Sequence, residues 1–144
     1  MQGLKEASNA IKDSGIPSAA IVDGTAASAA YYLAASTDYI EATPSSIVGN
    51  IGTIMAFVDV SDNLSAQGVK QVAIVNEGAD LKGMGSEKMT EAQHEFLQNQ
   101  VNAMGADFRG HVEATRDEIN AEVFRAGWYS GNEAKSLGLI DSIS

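Results

Sequence analysis

Apolar positions along the chain fall into short runs separated by glycine, proline and small polar residues, and the period of each run predicts an element. Leu4, Ala7 and Ile11 share one side of a helix from Leu4 to Ser14, with Gly15 as its stop. Pro17 imposes an extended entry into Ala19 to Val22, which reads as a short buried strand bounded by Asp23 and Gly24. The alanine-dominated stretch from Ala26 to Ala35, carrying Tyr31, Tyr32 and Leu33, predicts a helix buried on most sides. Asp38 to Ala42 predicts a further strand, and Thr43-Pro44-Ser45-Ser46 a turn. Gly49 and Gly52 punctuate a loop leading into Thr53 to Val60, an apolar run rich in strand formers.

Ser61 to Gln67 reads as a helix of one to two turns closed by Gly68, and Lys70 to Val75 as the next strand. Asn76 to Lys88, with Gly78, Gly83 and Gly85, is irregular. Thr90-Glu91-Ala92-Gln93 is a capping box, in which the threonine and glutamine can satisfy each other's backbone N–H groups. It opens the longest helix, whose apolar positions Phe96, Leu97, Val101, Met104, Phe108 and Val112 recur to about Thr115. That length, roughly 39 Å, exceeds what a small core requires. A second box, Ser130-Gly131-Asn132-Glu133, opens a last helix closed by Gly138, and Leu139-Ile140 ends as a strand. Trp128 and Tyr129 are expected beneath that helix. Strands alternate with helices, so the class is α/β. No internal repeat or low-complexity linker divides the 144 residues, and a single domain over 1–144 is expected.

Charge and composition remove several functions. A net charge of −10 makes a nucleic-acid backbone an unsuitable partner. The absence of cysteine excludes disulfides, thiolate metal sites and cysteine catalysis. No apolar run approaches the ~20 residues that cross a bilayer, and no signal-peptide pattern opens the chain, so a cytoplasmic location is expected. His94 and His111 lie 17 residues apart on the long helix, about 25 Å along it, and read as solvated. Neither has metal-ligand spacing, and no metal or cofactor is expected. A Ser–His–Asp arrangement would need one of these histidines to reach Ser28. An acyl-CoA hydratase would need paired acidic catalysts, and no such pair is evident.

Candidate chemistry concentrates at Ser28. The segment Gly24 to Tyr31 joins a strand to an alanine-rich helix, so Ser28 falls at a helix N-terminus, where free N–H groups favour developing negative charge. An acyl-transfer nucleophile needs such donors, and the N–H of Ala29 is the candidate for the oxyanion. Read locally, an N-cap or a small packing residue is the commoner meaning of a serine at this place.

The run Gly24-Thr25-Ala26-Ala27-Ser28-Ala29-Ala30-Tyr31-Tyr32-Leu33-Ala34, followed by Ala42-Thr43-Pro44-Ser45-Ser46-Ile47-Val48-Gly49-Asn50-Ile51-Gly52, resembles the core of the S49 peptidases. These include signal peptide peptidase A and phage head proteases. The likeness continues through Gly68-Val69-Lys70 and the loop from Glu77 to Lys82, and ends in Tyr129-Ser130-Gly131-Asn132-Glu133-Ala134 and Gly138-Leu139-Ile140-Asp141.

The resemblance implies an α/β fold of the crotonase/ClpP-like kind, built of repeated ββα units. It also implies a serine endopeptidase with Ser28 as nucleophile and Lys82 as general base. Asn50 occupies the position of a serine that orients the lysine in the family, and its side-chain carbonyl can accept from Lys82. A lysine accepts a proton only when neutral, which for a free lysine requires a cost of roughly 4 kcal/mol near neutral pH. Burial supplies that, with Leu81 and Met84 as apolar walls, whereas Glu77, Asp80 and Glu87 oppose it.

Family members also carry a Pro-Gly-Gly turn on preceding strands, and none occurs here, so the fold is expected to be N-terminally truncated. The implied partners are a peptide or protein substrate, either a signal peptide or a phage scaffold or head protein, with a small apolar pocket before the cut. A homo-oligomer with sites at subunit junctions is also implied. The alternative is a catalytically incomplete, oligomeric assembly module of the same fold.

Overall fold

The computed structural model describes residues 2–83 and 87–144. It divides into two compact units, one formed by residues 1–52 and 104–144 and the other by residues 53–103.

The first unit opens with helix α1 (Gln2–Asp13) and two short strands, β1 (Ala19–Val22) and β2 (Thr25–Ala27). Helix α2 (Ala29–Ala34) follows, then strands β3 (Tyr39–Ala42) and β4 (Ile47–Gly49). After the second unit the chain completes helix α4 (Glu91–Thr115), a 3-10 turn (Ala121–Arg125), strand β5 (Trp128–Ser130), helix α5 (Gly131–Ser136) and strand β6 (Ser142–Ile143). Chain order therefore contains successive ββα units, as the α/β reading requires.

Two three-stranded sheets result, ordered β1-β3-β6 and β2-β4-β5. The first is parallel throughout. In the second, β2 pairs in parallel with β4 and β4 antiparallel with β5. Tyr31, Ile40, Val48, Val112, Val123 and Leu139 are fully buried between the sheets and helices. The Tyr31 hydroxyl, buried with them, donates to the Leu139 carbonyl (2.8 Å). Its burial pushes the phenol pKa well above its usual value.

Several elements differ from the sequence expectations. Thr25–Ala27 forms β2, so the helix expected from Ala26 begins only at Ala29, and Ala29 and Ala30 are exposed. Three residues suffice for β2 because β4 supplies a ladder in register Thr25 with Ile47 and Ala27 with Gly49. β1 is not a buried strand: among the described residues it pairs only with β3, and Ile21 is exposed while Val22 is buried. Leu139 and Ile140 are core residues, and the final strand starts two residues later. Trp128 faces outward from β5, 65% exposed, while Tyr129 packs on the core.

In the second unit, helix α3 (Ser61–Ala66) ends at Gly68, which takes φ 76° as a helix-terminating glycine does. The expected strands at Thr53 to Val60 and Lys70 to Val75 do not form. Ile54, Val58, Val72 and Ile74 are 86, 73, 69 and 95% exposed. β-branched residues favour strands only where a neighbour supplies both a ladder and a surface to cover, and within this unit nothing described does so. The Thr90 capping box is formed: Gln93 N–H donates to Thr90 Oγ1 (3.2 Å) and Thr90 N–H to Gln93 Oε1 (2.9 Å).

Candidate active site

Ser28 stands between β2 and α2 with φ 54° and ψ −122°. A side chain at positive φ is sterically disfavoured, by about 1–3 kcal/mol outside glycine, and such strain persists only where surrounding bonds impose it. Here they are visible. The Ser28 N–H donates to the Gly49 carbonyl (2.9 Å), and the Ser28 carbonyl accepts from the Tyr32 N–H (3.0 Å).

Ser28 takes the N-cap position of α2, but its hydroxyl makes no capping bond to the helix. A serine thrust out on a sharp strand-to-helix turn, its hydroxyl free of the helix, is the geometry of a nucleophile elbow. Ala29, next in line, is exposed and opens α2, where N–H groups lack intrahelical acceptors. With only six residues, α2 contributes little macrodipole, and a local N–H is what it offers an oxyanion.

The β2–β4 register brings Asn50 to the same end of the sheet, directly after Gly49, the partner of Ala27. Asn50 also has positive φ, 52°, and its N–H donates to the Gly127 carbonyl (2.8 Å). Gly49 has φ 112°, and a Cβ there would lie 3.0 Å from both the Gly127 oxygen and the Tyr129 ring. The glycine is thus required twice over, by conformation and by close packing. Ser28, Ala29 and Asn50 therefore belong to one unit and one end of one sheet.

Lys82 belongs to the second unit, where it is exposed and its N–H donates to the Ala79 carbonyl (3.0 Å). Met84, expected beside it as an apolar wall, and Gly85 lie outside the described residues. Leu81 and Gly83, on either side of Lys82, line a cavity of about 270 Å³ together with Phe57, Met89, Gln93 and Leu97. Gln93, buried, reaches from its capping position to donate to the Asp80 carbonyl (3.2 Å), which ties the lysine segment to the start of α4.

His111 was expected to be solvated, but it is half-buried. Its ring stacks on Tyr32 with centroids 3.8 Å apart and planes at 12°, and Nε2 lies 2.9 Å from the Tyr32 carbonyl oxygen. Burial lowers its pKa, the bond to the Tyr32 carbonyl works the other way, and the charge of Lys12 lowers it further. The signal was present in the sequence, since His111 follows Phe108 by three residues and precedes Thr115 by four, on the buried face of α4.

The architecture is mixed α/β, with Ser28 at a strand-to-helix turn. The sequence model of peptidase family S49 matches residues 10–144, and the chain belongs to that family. It is 33% identical over 132 residues to "Putative protease MJ0651" of Methanocaldococcus jannaschii, covering 88% of this chain and 42% of that one. It is 35% identical over 138 residues to "Putative signal peptide peptidase SppA" of Enterococcus faecium, covering 92% and 40%. The chain thus spans about two fifths of the length of these relatives. The structure of a membrane-bound stomatin-specific protease, with serine replaced by alanine, superposes with a TM-score of 0.57 at 16% identity, over the whole of this chain and 58% of that one. At that identity the likeness shows the fold. Among the described residues no helix is long and apolar enough to cross a membrane.

Proposed function

We propose that the chain carries the catalytic serine of a peptidase, in which Ser28 attacks a peptide carbonyl and Lys82 accepts its proton and later returns one to the leaving amine. The observation that carries the reading is the conformation of Ser28: a strained, non-glycine elbow with its hydroxyl unused by the helix it precedes. Ala29 N–H would hold the oxyanion, and the Asn50 side-chain carbonyl would orient the lysine. Lys82 is exposed, so the base role requires a second surface to exclude water from it. A neighbouring copy or the substrate would provide that cover; where it is a neighbouring copy, the protein is a homo-oligomer with its sites at subunit junctions. The cavity, walled mainly by Leu81, Phe57, Met89 and Leu97 with Asp59, Glu87 and Gln93 also lining it, suits a small or aliphatic substrate side chain. Signal peptides, named for the Enterococcus relative, and phage scaffold or head proteins are the substrate classes to test.

A serine-directed fluorophosphonate probe tests this directly. Labelling should map to Ser28, vanish in Ser28→Ala, and slow by about 10²–10⁴-fold in Lys82→Ala, the usual contribution of a general base. Undiminished labelling in Ser28→Ala would rule the nucleophile out. A rate indifferent to Lys82 would rule out the dyad while leaving Ser28 in place.

A further inference from the structure

Helix α2 is too short to maintain its own geometry, because six residues barely exceed a helix nucleus. It is instead gripped from outside at Tyr32. The Tyr32 carbonyl oxygen is approached by Ser36 Oγ (2.9 Å) and by His111 Nε2 from α4 (2.9 Å). A carbonyl only accepts, so Nε2 carries the ring proton and donates it. Ser36 Oγ lies a further 3.2 Å from Nε2 and 2.7 Å from Ser8 Oγ on α1, with both serines buried. The imidazole also lies flat on the Tyr32 ring. His111 therefore holds Tyr32 at two points, ring and carbonyl. Tyr32 in turn holds Ser28, because its N–H is the donor to the Ser28 carbonyl.

We propose that His111 is a positioning residue for Ser28, which fixes the strained elbow through Tyr32 without touching the reacting atoms. Its catalytic meaning rests on the reading of Ser28 as nucleophile; its structural content does not. Without the clamp, the last turn of α2 is free to fray, the Tyr32 N–H leaves the Ser28 carbonyl, and the elbow relaxes toward an unstrained backbone. The neutral ring suits the task, since it donates once and packs as an apolar plate.

The test uses the full chain and two variants. His111→Phe keeps a flat ring over Tyr32 and removes the donor, whereas His111→Gln restores an N–H at a comparable reach. Amide hydrogen exchange, resolved residue by residue by NMR, and the rate of fluorophosphonate labelling at Ser28 are measured in each. In His111→Phe the Tyr32 amide should exchange about tenfold faster and the label attach about tenfold more slowly, the worth of one hydrogen bond, while the Ile40 amide in β3 is unchanged. His111→Gln should recover most of both. The proposal is overturned if Tyr32 exchange does not change in His111→Phe. Equal acceleration at Ile40, which marks general loosening, or a His111→Gln variant as impaired as His111→Phe, overturns it as well. A parent chain that takes no label at Ser28 sinks the nucleophile reading alone, and the exchange pattern then decides the clamp by itself.

Discussion

At the scale of single residues, the ion pair between Asp141 and Arg116 binds the end of α4 to β3. Arg116 Nη2 donates to Asp141 Oδ1 (2.8 Å) and Nη1 to Oδ2 (3.0 Å), and Oδ2 also accepts the Ile40 N–H (2.7 Å). Burial alone would raise the Asp141 pKa. The Arg116 hydrogen bonds, the Ile40 N–H and the Arg116 charge outweigh it, and the pKa is lowered. A carboxylate lowered on folding contributes stability above its unfolded value, about 3.9, and that contribution is lost as pH falls through the folded value. Asp141→Asn leaves a nearly buried guanidinium without its counter-charge and should cost about 2–4 kcal/mol in urea unfolding at pH 7. The gap to the parent chain should narrow as pH falls through the folded value and the parent carboxyl takes up its proton.

His111 shows a second pH dependence. Its folded pKa lies below the unfolded value of about 6.5, so the unfolded chain binds the proton more readily and stability declines as pH drops below that value. The melting temperature should fall between pH 7.5 and 5.5, and fall less in His111→Gln. Residue-scale chemistry was only partly legible. Ser28 stood out through the family pattern rather than through its neighbours, because an N-capping serine has the same local sequence. What the structure adds is the backbone angle and a hydroxyl with no capping bond.

At the scale of elements, Gln93 has two duties. Its Oε1 caps α4 while its Nε2 holds the Asp80 carbonyl two residues before Lys82. Gln93→Ala removes both, and a lost cap costs about 1 kcal/mol. Because the tether borders the lysine segment, trypsin should cut after Lys82 and Lys88 several-fold faster in the variant, read from the time course of limited proteolysis. An unchanged cleavage rate would show that the segment is held by other contacts. Both capping boxes were legible because four adjacent residues contain all of the chemistry; at Ser130 the Glu133 carboxylate accepts the Ser130 N–H (2.8 Å). Strands were less so. β4 and β5 are three residues each, one ending in a glycine that reads as a loop, and they exist because they face each other across some eighty residues of chain. The runs at 53–60 and 70–75 have the opposite history: strong local strand preference without a ladder to join. Propensity reports what a segment would do if given a neighbour, and the neighbour is not written nearby.

At the scale of the whole molecule, the two units differ in how they bury apolar surface. The first has a continuous core around Tyr31, Ile40, Val48 and Leu139. In the second, Gln93 is the sole buried residue among those described, while Ile54, Val58, Val72 and Ile74 stand largely in solvent. At roughly 25 cal/mol per Å² of apolar surface, covering a few such side chains is worth several kcal/mol, which favours association of copies but is offset in part by the freedom lost on binding. The family order could be followed along the sequence from Gly24 to Asp141, but this imbalance could not, since β-branched runs look alike whether they end inside a sheet or on a surface. If the second unit joins copies, light scattering should show mass rising with concentration, and Ile54→Glu with Ile74→Glu should return the chain to monomer. The same double variant should lose Ser28 labelling while leaving Tyr32 amide protection intact, because the clamp on the elbow lies wholly within the first unit and the cover over Lys82 does not. A parent chain that stays monomeric at high concentration, yet labels at Ser28 with full dependence on Lys82, would assign the lysine's cover to the substrate instead.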